Sequence, residues 1–194
     1  SVAMVEQAKE RFAHDPRVTL IAADLTTLEL PEPVDAILST ATFHWIRNHN
    51  KLFTQLAKAL KSGGQLVAQC GGATNIAGVM AAIEEVMRSP SYATAFAGWD
   101  SPWEYATPEV TEERLTRAGF VDIHTRLNPE PTVLASRDHL ADYLGPIVLG
   151  QPLLRIPQDQ HRPFAEAVAD TLLRRAGQPL IDYMRLNIVA HKSV

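Results

Sequence analysis

The residues best suited to chemistry follow directly after a short apolar run. Ala36-Ile37-Leu38 predicts a strand buried on both faces, and it leads into residues 39–42, which are small or hydroxylic. Ligands of open α/β sheets bind outside the carboxyl ends of the strands, where small residues let a ligand approach the backbone. Next come Phe43, His44 and Trp45, which could wall such a site, with His44 acting as a base or positioning a carboxylate. The alternative is a buried strand that leads into an ordinary packed helix.

Composition restricts the classes of function. The chain has 194 residues, 46% of them hydrophobic and 21% charged, and we expect a single domain over residues 1–194. A net charge of −4 without a block of basic residues argues against a nucleic-acid partner. No apolar run approaches the ~20 residues of a membrane helix, and no secretory signal precedes the first helix, so we expect a cytoplasmic protein. The one cysteine, Cys70, excludes an internal disulfide and a multi-cysteine metal centre, and we expect no metal site.

Short apolar and helical patterns alternate through the first half of the chain. A helix is predicted from residue 2, with Ser1 as a candidate N-cap, because apolar residues recur there on one face. The apolar run 18–22 predicts a strand with Asp24 at its end, and a helix over 51–60 is followed by a strand over 65–70. The short connections favour an α/β fold with a mainly parallel sheet covered by helices.

The second half is richer in helices. We predict a helix over 75–88, a helix that begins at Thr107-Pro108, a strand over 120–127, a mostly helical insertion over 132–180, and a terminal strand over 183–191. Residues 89–107 hold five aromatic side chains without a regular pattern. We interpret this aromatic loop and the insertion as a lid over a substrate, with Trp99 and Tyr143 as candidate substrate contacts.

Several of these segments together carry a resemblance to a known family. The chain resembles the class I S-adenosylmethionine-dependent methyltransferases and is similar to their trans-aconitate 2-methyltransferase-like group. The match spans nearly the whole chain, and the order and spacing of its pieces are more specific than any one piece. The residues that carry it are Ala23-Asp24-Leu25, residues 35–41, Phe43-His44-Trp45, residues 60–67, Ala118-Gly119-Phe120 and residues 185–190.

The resemblance implies a Rossmann-like fold with an antiparallel last strand, and methyl transfer from S-adenosyl-L-methionine to a small-molecule acceptor, either a carboxylate or a hydroxyl. It implies that Asp24 bonds the adenine amino group, with the Leu25 backbone at the ring edge, and that Ser39-Thr40-Ala41 lie along the methionine part of the cofactor. His44 and Trp45 would border the cofactor and the acceptor. For Asp24 the alternative is a turn cap.

Two motifs of the family have no counterpart here. They are a Gly-rich turn after the first strand and a ribose-binding acid after the second, and Ser1 aligns just beyond that acid. We therefore expect the fold to be N-terminally incomplete and the sequence to be a fragment. The alternatives are that another chain fills the gap in the sheet or that the strand pairing is rearranged. The strand edges left unpaired could make the chain a homo-oligomer. The alternative function is that of a truncated, non-catalytic relative acting as an interaction or oligomerisation module.

Three arginines could bind an acidic substrate. A guanidinium matches a carboxylate bidentately, and Arg126, Arg155 and Arg185 are the candidates, each with the alternative of an ordinary surface charge. Of the three, Arg185 is the one that we include in the candidate substrate site. Gly71-Gly72 is not interpreted as a phosphate loop, since no Lys-Ser/Thr follows it.

Overall fold

The computed structural model describes residues 2–194, and Ser1 with its candidate N-cap lies outside them. Its strands are β1 (Val34–Thr40), β2 (Leu60–Gly71), β3 (Phe120–Pro129), β4 (Thr132–Val133), β5 (Leu180–Ile181) and β6 (Met184–Lys192). The helices are α1 (Val2–Phe12), α2 (His49–Ala59), α3 (Ala77–Met87), α4 (Pro108–Arg117), α5 (Arg137–Ile147), α6 (Gly150–Leu153) and α7 (His161–Ala176). Two 3₁₀ turns, Phe43–Trp45 and Gln158–Gln160, complete the regular structure of the described residues.

The four long strands form one sheet in the order β1-β2-β6-β3. β1 is parallel to β2, whereas β6 is antiparallel to both β2 and β3. Three strands therefore point in one direction and the last strand of the chain runs against them. This confirms the predicted α/β fold with its antiparallel last strand.

Local sequence signals set several of the helix boundaries. The Thr107 hydroxyl accepts from the Val110 N–H at 3.3 Å, and Pro108 occupies the first turn, where its missing N–H costs nothing. The Ser136 hydroxyl caps α5 in the same way, through the His139 N–H. α7 ends at Gly177, whose φ of 73° is the left-handed conformation typical of a glycine cap. Helix starts and stops were therefore predictable here.

Two hydrophobic clusters hold the elements together. One lies between the sheet and helices α2 and α4, where alternate residues of β2 and β6 point inward: Leu66, Ala68, Cys70, Leu186, Ile188 and Ala190. The other joins α3, α5, α7 and the aromatic loop 89–107. The insertion over 132–180 leaves and rejoins the sheet through the short β4–β5 ladder, in which Thr132 pairs with Ile181.

The segment before the Phe43–Trp45 turn is poorly covered. No residue from 3 to 42 is buried, and Leu38 on β1 is 77% exposed. The prediction that β1 is buried on both faces is therefore wrong. β1 pairs only with β2 among the described residues, and its other edge has no neighbouring strand to shield it.

The strand predicted over residues 18–22 is also wrong. This run carries no strand assignment, and Ile21 is 52% exposed. Apolar, β-branched residues favour an extended backbone, but a strand also needs a partner for its N–H and C=O groups. No other described segment supplies that partner here. None of the helices within residues 2–194 has the length and apolar character needed to cross a membrane.

Candidate active site

A cavity of about 230 Å³ lies at one edge of the sheet, where β1 and β2 end and β6 begins. This is the edge at which α/β proteins bind ligands. Its walls are mostly aromatic or aliphatic, and among the lining residues there is no acidic side chain. The lining residues are Ala41, His44, Trp45, Asn75, Ile76, Trp103, Tyr105, Tyr143, Ile147, Val148, Tyr183 and Arg185.

His44 enters the cavity from the Phe43–Trp45 turn and is 8% exposed. Its Nδ1 accepts a hydrogen bond from the Gly71 backbone N–H at 3.2 Å. A neutral imidazole that accepts through Nδ1 carries its proton on Nε2, so the remaining ring nitrogen is a donor. Burial, and then the positive charge of Arg185, lower the pKa of His44 to about 4. The imidazole is therefore neutral at physiological pH and offers one N–H.

Arg185 supplies the positive charge of the cavity. It lies on β6 opposite Gly71, and its guanidinium carbon is 4.0 Å from the centre of the Tyr183 ring. Its Nε is buried without a hydrogen-bond partner, and the carboxylate of Glu130 is 3.7 Å away. A guanidinium with unused donors beside an aromatic wall is suited to a carboxylate or another oxyanion.

The phenols of Tyr105 and Tyr183 at the cavity remain protonated. The hydroxyls of Tyr143 and Tyr183 are hydrogen-bonded at 2.9 Å. Burial, followed by that hydrogen bond, raises the pKa of Tyr183, and burial raises the pKa of Tyr105 to about 12. Tyr105 and Tyr183 can donate hydrogen bonds to a ligand, but at neutral pH they are not bases.

Two lining residues have a backbone conformation that side chains rarely adopt. Ala41 has a φ of 53° and Ile76 a φ of 49°. For the β-branched Ile76 such a conformation costs about 1–3 kcal/mol and persists only where neighbouring structure enforces it. Here the Ile76 N–H donates to the carbonyl of Asp182, and the Gly78 N–H donates to its carboxylate. Strain of this kind concentrates at ligand sites.

The structure brings together only part of the predicted site. Ala41, His44, Trp45, Tyr143 and Arg185 line one cavity. The other predicted site residues lie outside its lining: Asp24, Leu25, Ser39, Thr40 and Trp99.

Two of these outlying residues have contacts of their own. The exposed Asp24 accepts from the Thr26 N–H at 2.7 Å, which is the turn-capping geometry. Trp99 lines a separate cavity of about 330 Å³ beside α3, and the Arg155 guanidinium lies 5.5 Å from its ring. Arg126 is exposed on β3, away from the cavity that holds Arg185.

Sequence reasoning missed several lining residues. Trp103 and Tyr105 belong to the aromatic loop, so their density was a usable signal. Tyr183 directly precedes the terminal strand, and its position beside Arg185 could have been noticed. Asn75 and Ile76 had no such signal, because a contact between the start of α3 and the start of β6 is set by tertiary packing.

Gly71 and Gly72 serve packing. A Cβ on Gly71 would lie 2.7 Å from atoms of Asn75 and Tyr105, and one on Gly72 would collide with the Leu127 side chain.

Cys70 is buried, and burial raises the pKa of its thiol to about 12, so it packs as a small apolar residue. Within residues 2–194, no group of three His, Cys, Asp or Glu side chains is arranged to hold a metal ion.

Comparison with known proteins finds similarity to methyltransferases. Residues 1–68 match the model of a family described as a methyltransferase domain. The chain is 36% identical over 95 residues to trans-aconitate 2-methyltransferase of Rhizobium rhizogenes, covering 48% of this chain and 35% of the relative. It is 35% identical over 99 residues to malonyl-[acyl-carrier protein] O-methyltransferase of Anoxybacillus flavithermus, and the match covers 51% of this chain and 35% of that relative. The chain thus matches about a third of the length of these two curated relatives.

Comparison with solved structures also finds methyltransferases. Phosphoethanolamine N-methyltransferase 2 of Haemonchus contortus, solved in complex with S-adenosyl-L-methionine, superposes with a TM-score of 0.57 at 21% identity, covering all of this chain and 42% of that one. Nothing among the matches supports the non-catalytic alternative. Together the matches confirm the resemblance to the S-adenosylmethionine-dependent methyltransferases and show that the chain has their Rossmann-like fold.

Proposed function

We propose that this chain takes part in methyl transfer from S-adenosyl-L-methionine to a small-molecule acceptor that carries a carboxylate. The observation that carries the proposal is the cavity lined by His44 and Arg185, which holds a positive charge and donors but no acidic side chain. An anionic acceptor would gain charge-assisted hydrogen bonds there. The acidic acceptors named by the relatives, trans-aconitate and a malonyl group, are consistent with it.

The predicted cofactor residues fit this role in part. When bound, S-adenosyl-L-methionine supplies a methyl group on a positively charged sulfur. Asp24 has an exposed carboxylate of which one oxygen bonds Thr26, so the other oxygen can accept from the adenine amino group, beside the Leu25 backbone. Ser39 and Thr40 end β1, and Ala41, which follows them in a left-handed conformation, lines the cavity and leaves its backbone open to a ligand.

The acceptor residues favour a carboxylate over a hydroxyl. A hydroxyl must lose its proton to become a good nucleophile, and this requires a base. His44 is unsuited to that task, because its Nδ1 lone pair already accepts from Gly71. A carboxylate arrives ionised, so His44 need only donate its Nε2–H while the Arg185 guanidinium neutralises charge. Orientation of the two reacting groups then supplies most of the rate enhancement.

The aromatic side chains complete the acceptor site. Trp45 stacks obliquely on Trp103 with ring centres 5.7 Å apart, and Tyr143 approaches from the helical insertion. In the proposal these residues exclude water from the acceptor, and the loop 89–107 and the insertion 132–180 act as its cover within one domain. Trp99 lies in the same loop and acts as part of that cover.

We also propose that the chain self-associates through β1. The outer edge of this strand is unpaired among the described residues, and the side chain of Leu38, a residue of the strand, is 77% exposed. An open edge with an exposed apolar side chain is a template for pairing with another strand. A homo-oligomer would cover both features.

Calorimetric titration with S-adenosylhomocysteine tests the cofactor part of the proposal. We expect binding in the micromolar range for the wild-type chain. Asp24→Ala should weaken it at least tenfold. Asp15→Ala is the control, since Asp15 is a partly exposed carboxylate that also accepts from a backbone N–H two residues ahead and is paired with Arg17. No heat up to millimolar ligand, or equal loss in both variants, would contradict the assignment.

A further inference from the structure

His49 is a buried polar residue that the proposed chemistry does not use. It opens α2 and is 3% exposed, and both of its ring nitrogens have partners. Nδ1 lies 3.1 Å from a guanidinium nitrogen of Arg114, and Nε2 lies 3.0 Å from the carbonyl oxygen of Phe43. Arginine can only donate, so Nδ1 is the acceptor and Nε2 carries the proton that is donated to Phe43.

Arg114 extends this contact to the aromatic loop. Its second terminal nitrogen donates to the carboxylate of Glu104 at 2.9 Å, in an ion pair that is mostly shielded from solvent. The backbone N–H of Glu104 in turn donates to the carbonyl of His44, also at 2.9 Å. The carbonyls of Phe43 and His44 are thus held by one network that combines α2, α4 and the aromatic loop.

The backbone held in this way is intrinsically weak. The Phe43–Trp45 turn is a 3₁₀ turn of three residues, and the side chain of its N-cap, Thr42, donates back to the Thr40 carbonyl and does not cap the turn. Such short turns have poor hydrogen-bond geometry and depend on their surroundings. The direction of the His44 imidazole, and its 3.2 Å contact with the Gly71 N–H, follow from the orientation of this turn.

We propose that His49, supported by Arg114 and Glu104, is a positioning residue that fixes the tautomer and direction of His44 in the acceptor cavity. The inference deepens the proposed function, because it matters for activity only if His44 contacts the acceptor. His49 does not line the cavity and touches neither reacting group. Its effect is transmitted through the two carbonyls of the turn.

Nitrogen-detected NMR of the imidazoles tests the proposal without any ligand. In the wild-type chain His44 should show one neutral tautomer, protonated at Nε2. His49→Leu, which fills the space but has no donor or acceptor, should raise the second tautomer from undetectable to about a tenth or more. His49→Gln can donate to Phe43 and accept from Arg114, and should restore the wild-type spectrum.

Leu140→Ala is the control for simple loss of stability, because Leu140 is fully buried in the other hydrophobic cluster. It should lower the melting temperature and leave the His44 signals unchanged. If His49→Leu does not fold, Arg114→Gln removes the same support and is measured instead. An unchanged His44 spectrum in the folded variant, or the same spectral change in Leu140→Ala, would overturn the positioning role.

The proposed function fails in a different measurement. It fails if S-adenosylhomocysteine does not bind the wild-type chain, a result that leaves the His44 spectra of the His49 variants unaffected.

Discussion

The neutral, buried imidazole of His44 makes the chain sensitive to acid. In the fold its pKa is about 4, against 6.5 for an ordinary histidine, because burial and Arg185 oppose the charged form. As pH falls below 6.5, His44 becomes protonated in the unfolded chain but stays neutral in the folded chain. The free energy of unfolding therefore decreases as pH falls, down to about pH 4. At about pH 4.5 this difference amounts to about 2.5 kcal/mol. Burial lowers the pKa of His49 too and adds to the loss in the same direction.

Urea unfolding at 25 °C, followed by circular dichroism at pH 7 and at about pH 4.5, measures the loss. Carboxylates also titrate in this range, so the test is the difference between wild type and His44→Gln. The variant should lose about 2.5 kcal/mol less than wild type between the two pH values. His139→Gln, at an exposed position, should behave as wild type. Equal losses in wild type and His44→Gln would refute the conclusion that His44 is neutral and desolvated.

Three further predictions concern the cavity and the open sheet edge. Arg185→Gln should weaken the binding of a simple dicarboxylate such as succinate, measured by calorimetry, about tenfold. Arg126→Gln is the control at an exposed position on β3 and should not weaken it, and equal binding by the two variants would exclude Arg185 from the site. Gly71→Ala should destabilise the chain by about 1–3 kcal/mol in urea, since its Cβ would lie 2.7 Å from two side-chain atoms, whereas Gly150→Ala meets nothing within 4 Å and should cost little. Light scattering at micromolar concentration should show self-association that Leu38→Lys abolishes, and a monomeric wild type would contradict pairing through β1.

Much of the fold was predictable because its signals are local. The terminal strand was expected over 183–191 and is found at Met184–Lys192. It was predictable because apolar and polar side chains alternate along consecutive residues of a strand. The start of α4 at Thr107-Pro108 follows from a capping hydroxyl and a proline that tolerates only that place in a helix. Residue type and position also led to the prediction of His44, Trp45 and Arg185 as site residues, and the structure places these three at one cavity.

Only the tertiary structure decided what surrounds each element. Residues 18–22 and β1 have the composition of buried strands, yet the first forms no strand and the second has an open edge, because burial depends on neighbours that sequence periodicity does not reveal. The Tyr183 hydroxyl is hydrogen-bonded to that of Tyr143, which is 40 residues away along the chain. The Gly71 N–H donates to Nδ1 of His44, so the proton of this imidazole is on Nε2. The sequence by itself determined most of the helices, the long strands and which residues could do chemistry, but not whether residues 18–22 form a strand. The packing of distant segments determined the protonation state, charge and partners of those residues, because these depend on burial and on hydrogen bonds between segments far apart in the chain.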